Sequence, residues 1–179
     1  MSAERIFVSP GEVFFGQGDC YVETLLGSCV AIVFWHAEQG LGGLCHFLLP
    51  ARQRQGRKEN GQEDVELPLD GRYGEDALRQ LLAEIKRHKT RVADYEVKVF
   101  GGSRTMDTVL LQKPVGQANA QFALDILKQH KIPIAAQDIE GDGYRYLRFD
   151  LNTGDVWVRR GRGTLKKEEA KRAESGGPG

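Results

Sequence analysis

The sequence has no net charge, since 25 Lys and Arg residues balance 25 Asp and Glu residues over 179 positions. Without an excess of positive charge, the chain has no long-range attraction for nucleic acid or for an anionic membrane surface. No apolar run approaches the ~20 residues of a membrane-spanning helix, and positions 1–15 do not have the form of a signal peptide. We therefore expect a cytoplasmic protein that neither binds nucleic acid nor inserts into a membrane.

Cysteine is scarce as well. The three cysteines, Cys20, Cys29 and Cys45, are an odd number and contain no C-x-x-C pair. A disulfide framework is therefore not expected. A structural zinc site needs four clustered ligands, and Cys45 with His46 has no second pair nearby, so no metal is expected either. The pattern indicates free thiols in a reducing compartment.

The apolar periodicity predicts a mixed α/β domain. Helical spacing occurs at 75–89 and again at 115–131, where Ala118, Phe122 and Ile126 would form one face. About eight strands surround these helices, several of them in hairpins, so the sheet should be largely antiparallel and sandwiched with helices. Val30 to Trp35 is apolar on both faces, which is typical of a strand covered on both sides.

One domain over 1–160 accounts for these elements, in keeping with the usual domain size of roughly 100–200 residues. The polar, glycine-rich stretch at 52–74 is predicted to be a long surface loop. The stretch at 161–179 has no hydrophobic face and is predicted to be a flexible, charged tail.

Cys29 and His46 fall on the two strands of one predicted hairpin. In an antiparallel pair, facing residues have a constant sum of sequence numbers. A loop over 37–40 gives a sum of 77 and places His46 diagonally from Cys29, whereas a loop over 36–39 gives 75 and places the two directly opposite. Both registers bring the thiol and the imidazole within reach on one face; a shift of one residue would separate them.

A thiol beside an imidazole is the minimal unit of cysteine nucleophilic catalysis, because the imidazole takes the proton that the attacking sulfur loses. Gly27 and Ser28, just before the cysteine, allow a substrate carbonyl to approach a backbone N–H closely. A third group would orient the imidazole, and spacing leaves Thr24 and Ser28 as alternatives.

The same residues also have plainer interpretations. Free cysteine is among the most buried residue types, so the residues alone leave Cys29 open between nucleophile and core residue. Gly101 and Gly102, at the end of a predicted strand, either hold a substrate backbone or form a tight turn.

Several segments together resemble one family. "LLGSCVAI" and "GGLCHFLLP" carry the cysteine and the histidine; "RYGEDALRQLL", "VFGGS" and the stretch from 115 to 160 follow in the same order. Over 5–160 the chain is similar to CheD, the chemoreceptor glutamine deamidase family.

The resemblance implies an amidohydrolase that converts specific glutamines to glutamates on cytoplasmic helices of methyl-accepting chemotaxis receptors. Cys29 would be the nucleophile and His46 the general base. The reaction would pass through a γ-glutamyl thioester on Cys29 and would need no metal or organic cofactor. The implied fold is an α/β sandwich similar to the deamidase domain of cytotoxic necrotizing factor toxins. Gly27, Ser28, Gly101 and Gly102 are expected to contact the substrate.

The resemblance also implies a catalytic threonine six residues before the cysteine. Glu23 stands at that position, and Thr24 lies one residue later. Because a slip of one residue turns a strand side chain to the other face, Thr24 is expected to serve only if the strand bulges.

Two other functions fit these residues. The same site could hydrolyse receptor glutamate methyl esters, releasing methanol instead of ammonia. The chain could instead be a mainly non-catalytic binding regulator of an adaptation protein. Some members of the resembled family bind a CheC-type phosphatase, which is a possible partner, and a monomer is expected.

Overall fold

The computed structural model describes residues 3–52, 67–104 and 114–161. Most of the predicted 52–74 loop, at 53–66, and the predicted tail, from 162 on, lie outside the described residues. The elements are β1 Glu4–Phe7, β2 Val13–Gln17, β3 Cys20–Leu26, β4 Val30–His36, β5 Leu41–Cys45, α1 Gly74–Arg87, β6 Glu96–Gly101, α2 Val115–Gln129, β7 Ala136–Ile139, β8 Tyr144–Asp150 and β9 Val156–Gly161.

The strands form two mixed sheets. The first has the order β1-β3-β8-β9 and the second the order β2-β5-β4-β6-β7. Only β1–β3 and β6–β7 are parallel pairs among the described strands; the other five pairs are antiparallel. The mixed, largely antiparallel α/β class is thus confirmed, with the strands divided between two sheets.

Three layers bury two separate cores. The two sheets face each other across one core, to which β3 and β8 contribute residues such as Val22 and Leu147 and β4 contributes Val33. Helices α1 and α2 cover the other side of the second sheet, where Phe34 of β4 packs in a cluster with Leu81. β4 is therefore covered on both faces, as its apolar sequence predicts, and burying each such large side chain stabilises the fold by about 1.5–3 kcal/mol.

The hairpin of β4 and β5 has the first of the two predicted registers. Val33 pairs with Leu44 and His36 with Leu41, so the sum is 77. A bridge between Val30 and Phe47 continues this register one step beyond β5.

The predicted face of α2 is confirmed for Ile126, which is buried, and for Phe122, which packs against the helix-covered core, but it is wrong for Ala118. The buried residues of α2 are Gly116, Asn119, Ala120, Ala123, Ile126 and Leu127, whereas Ala118 is exposed. Small residues line the buried side because the helix lies against backbone: a Cβ on Gly116 would overlap the Ser103 carbonyl oxygen.

Candidate active site

Cys29 lies at the corner where the chain passes from one sheet to the other. β3 ends at Leu26 in the first sheet, and β4 begins at Val30 in the second. The Cys29 side chain is half-buried and packs against the core between the sheets. The corner is held by backbone bonds from Gly102 N–H to the Cys29 carbonyl at 2.9 Å and from Ser103 N–H to the Gly27 carbonyl at 3.0 Å.

His46 directly follows β5 and its side chain also lies between the sheets. Its neighbours Cys45 and Phe47 point into the helix-covered core, so the alternation of a strand turns His46 the other way. The register of 77 sets it opposite Ala31 and therefore diagonally from Cys29 on one face of the hairpin. Only 1% of the histidine is exposed.

Thr24 fixes the tautomer of His46. Its Oγ1 lies 2.6 Å from the Val8 carbonyl oxygen and 2.7 Å from His46 Nδ1. Two oxygens at this separation need a hydrogen between them, and the hydroxyl supplies it, so Thr24 donates to Val8. The same oxygen must then accept from an Nδ1–H group, which leaves Nε2 with its lone pair.

The free nitrogen of His46 has the character of a base. Nε2 is buried and has no hydrogen-bond partner among residues 3–52, 67–104 and 114–161. A buried acceptor without a partner is costly and is typical of a functional position. Nε2 is thus available to accept a proton from a group that enters the site.

Thr24 contacts His46 although β3 contains no bulge, so the predicted bulge is wrong. β3 pairs with β8 without interruption from Tyr21 to Leu26. Along β3, Val22 and Leu26 join Thr24 in facing the core between the sheets. Because Thr24 lies in the first sheet and Cys29 lies beyond the end of β3, at the corner that leads to the second sheet, the alternation of one strand does not govern their spacing.

The neighbouring Glu23 lies on the outer face of the first sheet. Its carboxylate accepts hydrogen bonds from Arg5, Arg148 and Tyr146. This buried network leaves Glu23 no part in the site. Ser28, the alternative orienting residue, makes no side-chain bond to His46 in the described part of the chain.

The Cys29 thiol and the His46 imidazole are both neutral near pH 7. Burial lowers the pKa of His46 to about 4, although the nearby Val8 carbonyl opposes the shift. Burial raises the pKa of the Cys29 thiol to about 11. Near pH 7 the site therefore holds a protonated thiol and a neutral imidazole.

The low pKa of His46 predicts a pH dependence of stability. In the unfolded chain a histidine titrates near pH 6.5, so between about pH 6.5 and 4 the unfolded state binds more protons than the folded one. Stability is fully present above pH 6.5 and falls with pH by about 3 kcal/mol in total through this group. Urea unfolding at pH 7 and pH 4.5 measures it, with His46→Gln as the non-titrating control. Equal losses for both proteins between the two pH values would contradict the assignment.

Gly101 and Gly102 brace the corner from the side of β6. Both have positive φ, +107° and +73°, and a Cβ on Gly101 would overlap the Cys29 carbonyl oxygen. The pair therefore allows β6 and the N-terminus of α2 to approach the cysteine segment closely. A direct contact with substrate stays a prediction for these glycines, as it does for Gly27 and Ser28.

Asn119 is a polar residue at the site that the sequence analysis missed. It is fully buried on α2, and its Nδ2 donates to the Ser28 carbonyl at 3.0 Å and to the Leu48 carbonyl at 2.8 Å. Its place between Gly116, Ala120 and Ala123 on the small-residue side of the helix was the available signal. The choice of a face through Ala118 concealed it.

The described residues contain neither a cluster of metal ligands nor a membrane-spanning helix. Within 3–52, 67–104 and 114–161, no three His, Cys, Asp or Glu side chains are grouped so that they could hold a metal ion. Over those same residues, neither helix is long and apolar enough to cross a bilayer.

Comparison with known proteins agrees with the resemblance. The family described as CheD chemotactic sensory transduction matches residues 48–160. A probable chemoreceptor glutamine deamidase CheD of Pseudomonas fluorescens is 39% identical over 169 residues, which cover 93% of this chain and 90% of the relative. The protein of that name from Pseudomonas syringae pv. tomato is 39% identical over 162 residues, 89% of this chain and 90% of its own. A CheD 2 of Albidiferax ferrireducens is 38% identical over 154 residues, 85% and 84% of the two chains. The chain therefore belongs to the CheD family.

Proposed function

We propose that this protein deamidates glutamine side chains of chemotaxis receptors, with Cys29 as nucleophile, His46 as general base and Thr24 as the residue that orients the base. The observation that carries the proposal is the Thr24 bond to Nδ1, which leaves Nε2 buried and without a partner among the described residues, in a histidine that the register sets on the same face as Cys29. The names of the relatives, probable chemoreceptor glutamine deamidases, support this reaction and this substrate.

The first half-reaction forms a thioester. Cys29 Sγ attacks the side-chain carbonyl carbon of the glutamine while His46 Nε2 takes the thiol proton. The carbon–nitrogen bond then breaks, Nε2 returns the proton to the leaving nitrogen, and ammonia departs. A γ-glutamyl thioester on Cys29 remains.

The second half-reaction uses the same base for water. Nε2 takes a proton from a water molecule whose oxygen attacks the thioester carbon, and the carbon–sulfur bond breaks. The proton passes to the departing sulfur, so that Cys29 is again a thiol and the product is a glutamate side chain. Because His46 is neutral near pH 7, it can accept a proton in both halves.

The backbone N–H of Cys29 is the candidate donor for the negative oxygen of the tetrahedral intermediate. In the described part of the chain it donates to no backbone carbonyl, and Gly27 places no side chain in the approach to it. Donors of this kind stabilise the transition state by about 3–4 kcal/mol in other acyl-transfer enzymes.

The leaving group distinguishes deamidation from methyl-ester hydrolysis, since both pass through the same thioester. A receptor cytoplasmic fragment should be offered once with unmodified glutamines and once with methylated glutamates, with ammonia, methanol and peptide masses followed. We expect ammonia and the replacement of an NH₂ group by OH at particular glutamines. Methanol without ammonia would assign the site to ester hydrolysis instead.

A further inference from the structure

We propose that Asn119 is a positioning residue that aims the backbone N–H of Cys29 at the reacting oxygen; the proposal rests on the deamidation proposed above. Asn119 belongs to α2, outside the hairpin that carries the thiol and the imidazole. Its carboxamide nevertheless bonds to the chain on both sides of that hairpin, just outside β4 and β5. It donates to the carbonyl of Ser28, just before Cys29, and to that of Leu48, two residues after His46.

These two bonds begin where the hairpin's own ladder ends. Val30 and Phe47 exchange the last pair of backbone bonds, at 3.1 and 3.0 Å, in both directions. One step further, the carbonyls of Ser28 and Leu48 are joined through the NH₂ group of Asn119 instead. The two hydrogens of a planar amide have a fixed spread, so the side chain sets the separation of the strands at this point.

The bond to Ser28 also determines where the next N–H points. The Ser28 carbonyl and the Cys29 N–H belong to one planar peptide group, and no peptide in the described structure is cis. In a trans peptide the two groups point in opposite directions. Because Asn119 holds the carbonyl on the α2 side, the Cys29 N–H is directed away from the helix.

Burial strengthens the hydrogen bonds by which Asn119 holds the Ser28 and Leu48 carbonyls. Asn119 has no exposed surface, so water does not compete for its two hydrogens and a hydrogen bond is stronger in such surroundings. Its Oδ1 has no partner among the described residues, so the hydrogen bonds that the side chain makes to them come from its NH₂ group alone. An apolar residue of similar size would avoid that unpaired oxygen.

Asn119→Asp tests the proposal because it keeps the shape but cannot make both bonds: a carboxylate has no hydrogen to donate, and a protonated carboxyl has only one. Gln121→Glu is the matched control: it makes the same amide-to-carboxylate change on an exposed side chain of the same helix. For each protein, kcat and KM for a receptor fragment are measured, together with the thermal unfolding midpoint. The rate at which iodoacetamide alkylates Cys29 is followed by peptide mass spectrometry.

We expect kcat of Asn119→Asp to fall by about 10²-fold or more, with KM within about threefold of wild type. Alkylation should stay within about threefold, because attack on iodoacetamide develops no carbonyl oxyanion. The Gln121→Glu protein should match wild type in kcat, KM and alkylation; its unfolding midpoint should fall slightly, because Gln121 donates to Asp125 at 2.8 Å and the new carboxylate repels that of Asp125. If the Asp variant does not fold, Asn119→Ala decides in the same assays.

Three results would overturn the proposal. A folded variant with kcat near that of wild type would show that the donors of Asn119 do not matter for catalysis. A parallel loss of deamidation and alkylation would show a general disturbance of the cysteine. A wild-type protein that deamidates no receptor fragment while its Cys29 alkylates normally would remove the proposed function itself.

Discussion

Replacing Cys29 by alanine is expected to abolish deamidation, lowering the rate by on the order of 10⁴-fold or more. No other thiol can take its place, because Cys20 and Cys45 are buried elsewhere. Cys29→Ser should be almost as inactive, since a neutral hydroxyl is a much weaker nucleophile than a thiol whose proton His46 removes. Mass spectrometry of receptor peptides after incubation measures the loss.

The control for this prediction is Cys20→Ala, which removes a buried thiol outside the site and should leave deamidation unchanged. Binding of the receptor fragment should survive in the Cys29→Ala protein, because the half-buried thiol contributes little surface. Full activity without Cys29 would contradict the proposed nucleophile. If wild type and Cys29→Ala bind the receptor fragment equally and neither deamidates it, the binding regulator would be favoured instead.

Thr24→Val should lower kcat by about 10²–10³-fold while leaving KM nearly unchanged. The substitution keeps the shape but removes the hydroxyl that fixes the His46 tautomer. The Val8 carbonyl and the Nδ1–H group would both lose their partner inside the protein. The free energy of unfolding should therefore fall by about 1–3 kcal/mol, which urea titration measures.

Thr24→Ser is the matched control, because it restores the hydroxyl without the methyl group. It should recover most of both the kcat and the stability. A valine protein that is destabilised yet retains the wild-type kcat would mean that the Thr24 bond supports only the packing of the ring. That outcome would leave His46 without its proposed orienting residue.

Local pattern predicted the parts of the fold that depend on neighbouring residues. The turn chemistry of 37–40 narrowed the β4–β5 hairpin to two registers, and the structure has one of them. The apolar spacing at 75–89 likewise predicted a helix with basic residues near its C-terminal end, and α1 spans Gly74–Arg87 with Lys86 and Arg87 in its last turn. Hydrophobic periodicity reports such faces because burial repeats with the geometry of each element.

The division into two sheets could not be predicted in this way. The sequence analysis treated Thr24 and Cys29 as parts of one strand, so β3 was not recognised as a strand of a separate sheet; Glu23 and Thr24 also break its apolar pattern, although both are buried. Each is satisfied by a partner distant in sequence, Glu23 by Arg148 and Thr24 by His46. Periodicity shows which residues share a face, but it does not show which sheet a strand joins.

Prediction of the site from the sequence has the same limit. Sequence spacing brought Cys29 and His46 together, yet it placed the threonine on the wrong face because it counted through a corner as though one strand continued. The roles of Val8 and Asn119 depend on a carbonyl and a carboxamide from distant segments. Neither contact leaves a repeating pattern in the sequence.

The most direct test of the account is to trap the thioester on Cys29. The enzyme and a receptor fragment would be mixed, quenched in acid during turnover and digested, and the peptides analysed for a covalent link. We expect a Cys29 peptide joined to a γ-glutamyl group of a receptor peptide. Neutral hydroxylamine should release that receptor peptide as the hydroxamate, and the adduct should be absent with Cys29→Ala. Deamidation that proceeds with no such adduct, and equally well without the Cys29 thiol, would contradict the account.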